Sequence, residues 1–197
     1  VLAGVSTGKR EPGQRINIGF CAVGAGGNGS FGDADRCDLI CVCHTLCILG
    51  IGRLMRLLIF STEFPPGPGG IGTHAYQLAY QLSKLDWEVS VLTQQDYAVE
   101  KEIKRYNQQQ PFGIHTLRHM PGMPSEAIYR WQSLRNRVRK WQPDVLVATG
   151  EQAVLVAAGA LLKIPWVAIW HGVIPPTDWN KKIFGWAYQR ATQIISV

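Results

Sequence analysis

The chain has 197 residues, of which 46% are hydrophobic and 17% charged, a composition that supports one folded domain and excludes a wholly disordered chain. Lysine and arginine outnumber aspartate and glutamate by 20 to 14, and this mild basic excess suits an anionic ligand or a membrane surface without selecting either. All five cysteines lie between Cys21 and Cys47, which argues against a fold built on disulfides.

The chain divides in two at Met55. Residues 1–54 hold the glycine-rich stretch GAGGNGSFGDAD and the cysteine cluster, and their apolar residues follow no sustained period. Regular alternation of apolar strands and helical patterns begins directly after Met55. We therefore predict that 55–197 form the domain, and that 1–54 are an N-terminal extension that is either disordered or not native.

No charged and then apolar leader opens the chain, and the longest apolar run, 39–52, is shorter than the about 20 residues that a spanning helix needs. We therefore expect a cytoplasmic protein. The motif GAGGNG at 24–29 matches the dinucleotide pattern, but turn residues follow it where that pattern requires a helix. Four cysteines and His44 match no common zinc or cluster spacing, so we expect no metal.

Short apolar strands and helices alternate through the second part of the chain. The predicted strands are 56–61, 88–93, 113–119, 144–149, 166–170 and a sixth from residue 192. The predicted helices are 73–85, 125–142 with Ser125 as N-cap, 152–162 and 178–191, while 106–113 is assigned to a loop. Strands that are apolar throughout predict an α/β fold, a doubly wound parallel sheet of the Rossmann-like kind that is covered on both faces.

Two of the predicted helices carry a clear apolar face. The inward residues are predicted to be Ala75, Leu78, Ala79, Leu82 and Leu85 in the first helix, and Ile128, Trp131, Leu134, Val138 and Trp141 in the helix 125–142.

The stretch PPGPGGIG, residues 65–72, lies between the first strand and the first helix. A helix N-terminus at the carboxyl edge of a parallel sheet favours anions, and Gly69, Gly70 and Gly72 leave the backbone open to a ligand. A tight turn without a ligand is the alternative.

The segment MRLLIFSTEFPPGPGGIGTHAYQLAYQLSKLDWEVSVLT, together with QPDVLVATG and IPWVAIWHG, resembles the family-4 glycosyltransferases, which are retaining enzymes of the GT-B fold. The resemblance covers 55–197 and corresponds to the N-terminal Rossmann-like domain, one half of a GT-B architecture. Asp86 and Trp87 depart from the family, which usually has Gly-His or Gly-Asn after this helix.

The resemblance implies roles for six residues. Gly69, Gly70, Ile71 and Gly72 would approach the donor diphosphate and sugar. His171 would lie beside the transferred sugar as the catalytic residue, although a structural loop histidine is the alternative. Glu151 would either bind acceptor hydroxyls or only begin the next helix.

The implied reaction transfers a sugar from a nucleotide-sugar donor to an unknown acceptor, lipid-linked or saccharide, with no cofactor. A nucleotide-sugar epimerase of GT-B fold and a non-catalytic remnant domain are the alternatives. The donor-binding domain of the family would follow Val197, so we expect the printed chain alone to be inactive and poorly soluble.

The helix 125–142 carries five cations away from its apolar face, namely Arg130, Arg135, Arg137, Arg139 and Lys140. They suggest either peripheral contact with the inner membrane face or an ordinary solvated surface. No nucleic-acid-binding module is recognisable.

Overall fold

The computed structural model describes residues 55–120, 122–172 and 177–197. The GAGGNG motif, the cysteine cluster and the predicted extension 1–54 lie outside the described residues. The described chain forms six strands: β1 Arg56–Ser61, β2 Glu88–Thr93, β3 Gly113–Thr116, β4 Val145–Thr149, β5 Trp166–Trp170 and β6 Gln193–Ser196. All are parallel and pair in the order β3-β2-β1-β4-β5-β6.

Five helices connect the strands within the described residues. They are α1 Gly70–Ser83, α2 Glu100–Gln108, α3 Met123–Trp141, α4 Glu151–Gly159 and α5 Asp178–Tyr188. The strand order reverses between β1 and β4, which defines the topological switch point where sheets of this kind bind ligands.

Both faces of the sheet are covered, because side chains that alternate along each buried strand enter two separate cores. The first core joins the sheet to α3, α4 and α5 through Leu58, Phe60, Leu146, Leu134, Val154 and Phe184. The second joins it to α1 through Leu57, Ile59, Val91, Val147, Leu78 and Leu82. The predicted doubly wound, Rossmann-like parallel sheet is confirmed.

The largest difference from the predicted elements is α2, which the sequence patterns did not predict. None of its residues is buried, and Ile103 and Tyr106 are its only apolar side chains, too few for the apolar stripe by which a helix is recognised. Its last residues, Tyr106–Gln108, lie in the stretch that was assigned to a loop.

Several predicted boundaries were also wrong. Pro124 takes one of the first positions of α3, so Gly122 is the N-cap and the Ser125 hydroxyl donates to the Gly122 carbonyl instead of capping the helix. Strand β3 ends at Thr116, three residues before the predicted end at His119. Leu85 and Ile128, both predicted to point inward, are 53% and 54% exposed.

The remaining helices α4 and α5 end three residues earlier than predicted, at Gly159 and Tyr188. Among the described helices, none combines the length and apolarity that crossing a bilayer requires.

Candidate functional site

The candidate site lies at the carboxyl edge of β1, β4 and β5. Ser61 at the end of β1 is the register partner of Thr149 at the end of β4, and Thr149 is in turn the partner of Ile169 in β5. The loop before α1, the first residue of α4 and the residue after β5 therefore come together at the switch point. These are the positions of the glycine loop, Glu151 and His171.

The glycine loop enters α1 three residues earlier than predicted, so Gly70, Ile71 and Gly72 form the first turn of the helix. Gly69 is the N-cap, and its φ of 141° is a backbone conformation that side-chain-bearing residues rarely adopt. Its carbonyl accepts from the Thr73 backbone N–H at 3.0 Å and from the Thr73 hydroxyl at 2.8 Å. Hydrogen bonds between Gly69 and Thr73 therefore fix the geometry at the end of the loop.

The glycines of this loop face different surroundings. A Cβ at Gly72 would lie 3.0 Å from the Phe64 backbone nitrogen, so this glycine lets α1 pack directly against the incoming chain. A Cβ at Gly69 would meet a carboxylate oxygen of Glu63. A Cβ at Gly70 would meet nothing within 4 Å among the described residues. Gly70 is therefore the position that leaves helical N–H groups accessible to a ligand.

We expect Gly72→Ala to lower the free energy of unfolding by about 1–3 kcal/mol, because the added methyl group must displace backbone atoms in a packed region. Gly70→Ala is the matched control on the same turn, and it should be neutral or stabilising since the methyl group has free space and alanine favours helix. Urea unfolding of both variants gives the comparison. Equal stability of the two would contradict the packing role of Gly72.

Ile71 connects the first turn of α1 to the end of β4. A Cβ at Gly150 would lie 3.2 Å from Ile71 Cγ2, and Gly150 itself has a φ of 88°. Gly150 is the N-cap of α4, so this contact places the N-termini of α1 and α4 side by side. The contact of the Ile71 side chain is with protein, and its role towards a ligand stays a prediction.

His171 directly follows β5 and is half-buried. Its Nε2 lies 2.8 Å from the hydroxyl of Thr149, which is fully buried at the end of β4. The ring also packs edge to face on His74 of α1, with ring centroids 5.2 Å apart. Burial lowers the pKa of His171, and the nearby Glu151 carboxylate only partly opposes this effect. The imidazole is therefore neutral and oriented at neutral pH.

Glu151 is the first residue of α4, where a carboxylate is favoured by the helix dipole. Its charge acts on two groups at this edge, His171 and Tyr188. Burial, together with the Glu151 charge, raises the pKa of Tyr188 to about 12. The Tyr188 hydroxyl is buried and has no hydrogen-bond partner among the described residues. The site thus brings together a carboxylate and a neutral imidazole, while Tyr188 belongs to the core beside it.

The predicted basic face of α3 is not a uniform solvated surface. The Arg130 side chain is only 13% exposed, and its guanidinium donates to Gln152 in α4 and Glu126 in α3, each at 2.7 Å. It also donates to the Gln94 side chain just beyond β2. Arg130 therefore joins α3 to the carboxyl edge beside Glu151.

Glu126 is the carboxylate partner of Arg130. A hydrogen bond from the Gln94 amide, and then the charges of Arg130 and His119, hold the pKa of Glu126 below its ordinary value against the opposing effect of burial. A pKa that is lower in the folded state means that the carboxylate stabilises the fold at neutral pH. This contribution is lost as the pH falls through the lowered pKa.

We expect Glu126→Gln to lower the free energy of unfolding at pH 7 by up to about 1 kcal/mol, since the pair is partly exposed. The difference from the unmodified chain should shrink as the pH falls through the lowered pKa of Glu126, because protonation then removes the charge that glutamine lacks. Urea unfolding between pH 3 and pH 7 measures it, with the exposed Glu102→Gln of α2 as the control. A difference that persists unchanged in acid would exclude the charge as its cause.

Two residues of this site were not predicted from the sequence. His74 lies in the second turn of α1, and Thr149 is the last residue of β4. Only their positions in the sequence could have indicated them, because Thr149 is a polar residue that ends an apolar strand and His74 is a histidine four residues after Gly70. Across 55–120, 122–172 and 177–197, no group of three or more histidine, cysteine, aspartate or glutamate side chains could hold a metal ion.

A doubly wound sheet with a glycine-rich helix N-terminus at its switch point defines a Rossmann-like ligand-binding domain. The chain belongs to Glycosyltransferase Family 4, whose family model matches residues 68–197. None of the curated proteins matches the chain significantly.

Solved glycosyltransferase structures share this fold. The chain is similar to MurG of Acinetobacter baumannii, with a TM-score of 0.51 and 16% identity over 73% of this chain and 41% of that one. It is similar to Anabaena Alr3699/HepE, solved in complex with UDP and glucose, with a TM-score of 0.52 and 17% identity over 71% of this chain and 37% of that one. A glycosyltransferase of Rickettsia africae has a TM-score of 0.50 and 10% identity over 66% of this chain and 33% of that one. The chain thus spans less than half the length of each of these three proteins.

Proposed function

We propose that this chain is the acceptor-side domain of a retaining glycosyltransferase of GT-B architecture, which transfers a sugar from a nucleotide-sugar donor to an acceptor. The observation that carries the proposal is the convergence of the open α1 N-terminus at Gly70, the Glu151 carboxylate and the His171 imidazole at one sheet edge. Family membership and the UDP and glucose held by HepE agree with it.

The N-terminus of α1 has the chemistry to stabilise the donor diphosphate. Its first-turn N–H groups have no intrahelical acceptor and carry partial positive charge, and Gly70 leaves space in front of them. Negative charge grows on the diphosphate as the sugar leaves. Fixed dipoles aimed at that charge stabilise the transition state more than the ground state, which is what accelerates a reaction.

His171 is proposed to hydrogen-bond the transferred sugar. Thr149 bonds to Nε2 and fixes the plane of the ring. The other ring nitrogen, Nδ1, is the atom proposed to bond to a sugar hydroxyl. A neutral imidazole serves here because it adds no positive charge to a site in which the sugar itself becomes cationic.

Glu151 is proposed to bind the acceptor. Its carboxylate can accept a hydrogen bond from the attacking hydroxyl and orient it towards the anomeric carbon. The donor base would be held by a second Rossmann-like domain, as expected for the family.

Contact with an anionic membrane would involve the C-terminal end of α3. Arg130 is bonded to neighbouring side chains, and Arg135 and Arg137 are half-buried over tryptophan rings, so these three are not freely available to lipid. Arg139 and Lys140 are exposed there.

The decisive experiment uses a protein that comprises this chain and the donor-binding domain expected to follow it. Purified protein is incubated with a panel of nucleotide sugars, with and without saccharide and lipid-linked acceptors, and nucleoside diphosphate release is measured. We expect release that depends on an acceptor, and a product with the donor's anomeric configuration by NMR. An inverted anomer would overturn the retaining mechanism, and an epimerised sugar formed without acceptor would overturn the transferase.

A further inference from the structure

Gln95 lies two residues beyond the end of β2 and carries a buried amide that takes no part in the candidate site described above. The residue is only 1% exposed. A glutamine amide has two N–H donors and an oxygen that accepts two hydrogen bonds. Burying these groups costs free energy unless each of them finds a partner, so the partners indicate what the side chain is for.

All four hydrogen bonds of the Gln95 amide are made. Its Nε2 donates to the Pro65 carbonyl and, at 2.9 Å, to Asn107 Oδ1. Its Oε1 accepts from Asn107 Nδ2 at 3.0 Å and from the Thr116 hydroxyl at 2.7 Å. Asn107 belongs to α2, and Thr116 is the last residue of β3. One buried amide therefore connects the glycine loop, through Pro65, to two neighbouring elements.

The glycine loop has few hydrogen bonds of its own. Pro65, Pro66 and Pro68 have no N–H to donate. Within the described part of the chain, no backbone-to-backbone hydrogen bond involves residues 65–68. The bond from Gln95 to the Pro65 carbonyl therefore fixes a segment that its own backbone does not.

A second residue of the segment after β2 also contacts the loop. A Cβ at Gly67 would lie 3.0 Å from Tyr97 Cδ2, so the loop backbone packs directly on the tyrosine ring. The loop is thus held at two points, Pro65 and Gly67, by residues that follow β2. Both points come shortly before Gly69, the N-cap of α1.

We propose that Gln95 is a positioning residue for the glycine loop. By holding the Pro65 carbonyl it fixes Gly69, whose carbonyl accepts from the Thr73 amide at 3.0 Å in α1, and with it the open N-terminus of that helix. The consequence for catalysis rests on the proposed function, since it requires the donor diphosphate to bind at this N-terminus. A loop that is ordered before the donor arrives loses less conformational entropy on binding, which strengthens binding.

Gln95→Met tests the proposal on the full 197-residue chain. Methionine keeps the length of the side chain but cannot donate to the Pro65 carbonyl. We expect the Thr73 amide to exchange its hydrogen at least tenfold faster, measured by hydrogen–deuterium exchange and mass spectrometry. The Val154 amide is the internal control, because it donates to the Gly150 carbonyl at the same position of α4. A general loss of stability would accelerate both amides alike, and that result would overturn the proposal.

Thr116→Val is the matched control variant. It removes one hydrogen bond of the same amide but leaves the bond to the loop, so Thr73 exchange should stay unchanged. If Gln95→Met fails to fold, Asn107→Ala replaces it, because Asn107 bonds to both ends of the amide and alanine favours the helix in which it lies. Unchanged Thr73 exchange in the folded variant, or equal acceleration in Thr116→Val, contradicts the positioning role.

Donor binding separates this inference from the proposed function. In the proposed two-domain transferase, Gln95→Met should raise the Kd of an unreactive nucleotide sugar at least threefold, and Thr116→Val should not change it. Faster Thr73 exchange with an unchanged donor Kd would support the positioning role and count against a donor site at α1. Unchanged Thr73 exchange would overturn the positioning role whatever the donor Kd.

Discussion

Replacing His171 by alanine in the proposed two-domain transferase should lower kcat by about a hundredfold or more, with a much smaller change in stability. A single correctly placed hydrogen-bonding or proton-transferring group contributes on the order of 10² to 10⁴ in rate. His171 is half-buried and follows the carboxyl end of β5, so its removal leaves the sheet intact. Single-turnover kinetics with a nucleotide-sugar donor, beside a melting curve, provide the measurement.

Thr149→Val is a second variant, which tests how the orientation of His171 affects turnover. Valine keeps the shape of the buried threonine but cannot bond to His171 Nε2, so the imidazole loses its orientation but not its chemistry. We expect an intermediate fall in kcat with little change in KM, which a purely structural histidine would not show. Unchanged turnover in His171→Ala would make this residue structural and would remove it from the proposed mechanism.

The sheet could be predicted because its strands are buried on both faces and are therefore apolar throughout. Leu57–Phe60 and Val145–Ala148, for example, have no exposed side chain that would interrupt the pattern. Helix α2 could not be predicted in the same way. It buries no residue, and its charged sequence resembles a loop as closely as a helix.

The sequence located the glycine loop correctly but placed the start of the following helix three residues too late. Glycine disfavours a helix interior, so the predicted helix began at Thr73 after the last glycine. In the structure Gly70 and Gly72 belong to the first turn, because close packing of Gly72 on Phe64 compensates for the low helix propensity. A tertiary contact that cannot be read from the sequence therefore outweighs the low helix propensity of glycine.

The order of strands and loops along the chain was enough to predict which loops meet at the candidate site. Residues that follow parallel strands meet at one edge, so the neighbourhood of the glycine loop, Glu151 and His171 could be anticipated. The contacts of His171 with Thr149 and His74 depend on how α1 packs on the sheet. The same applies to Arg130, whose helical position suggested solvent but whose long side chain reaches Gln152.

Substituting Gly70 by valine should weaken the binding of the proposed nucleotide-sugar donor at least tenfold in the proposed two-domain transferase. A Cβ at Gly70 meets no described atom within 4 Å, so the branched side chain fits the free protein and projects into the space before the helix N-terminus. There it would keep the donor diphosphate from the backbone N–H groups. Tenfold corresponds to ~1.4 kcal/mol, less than the loss of one charge-assisted hydrogen bond can cost.

Gly159→Val separates this effect from the helix propensity of valine. Gly159 is the last residue of α4, and a Cβ there also meets nothing within 4 Å among the described residues. Both variants introduce the same side chain into open helical positions, so their melting temperatures should fall by similar small amounts. Only Gly70→Val should raise the donor Kd, measured by calorimetry with an unreactive nucleotide sugar. If both variants bind donor and acceptor like the unmodified enzyme, the glycine loop is a turn and the anion site must be sought elsewhere.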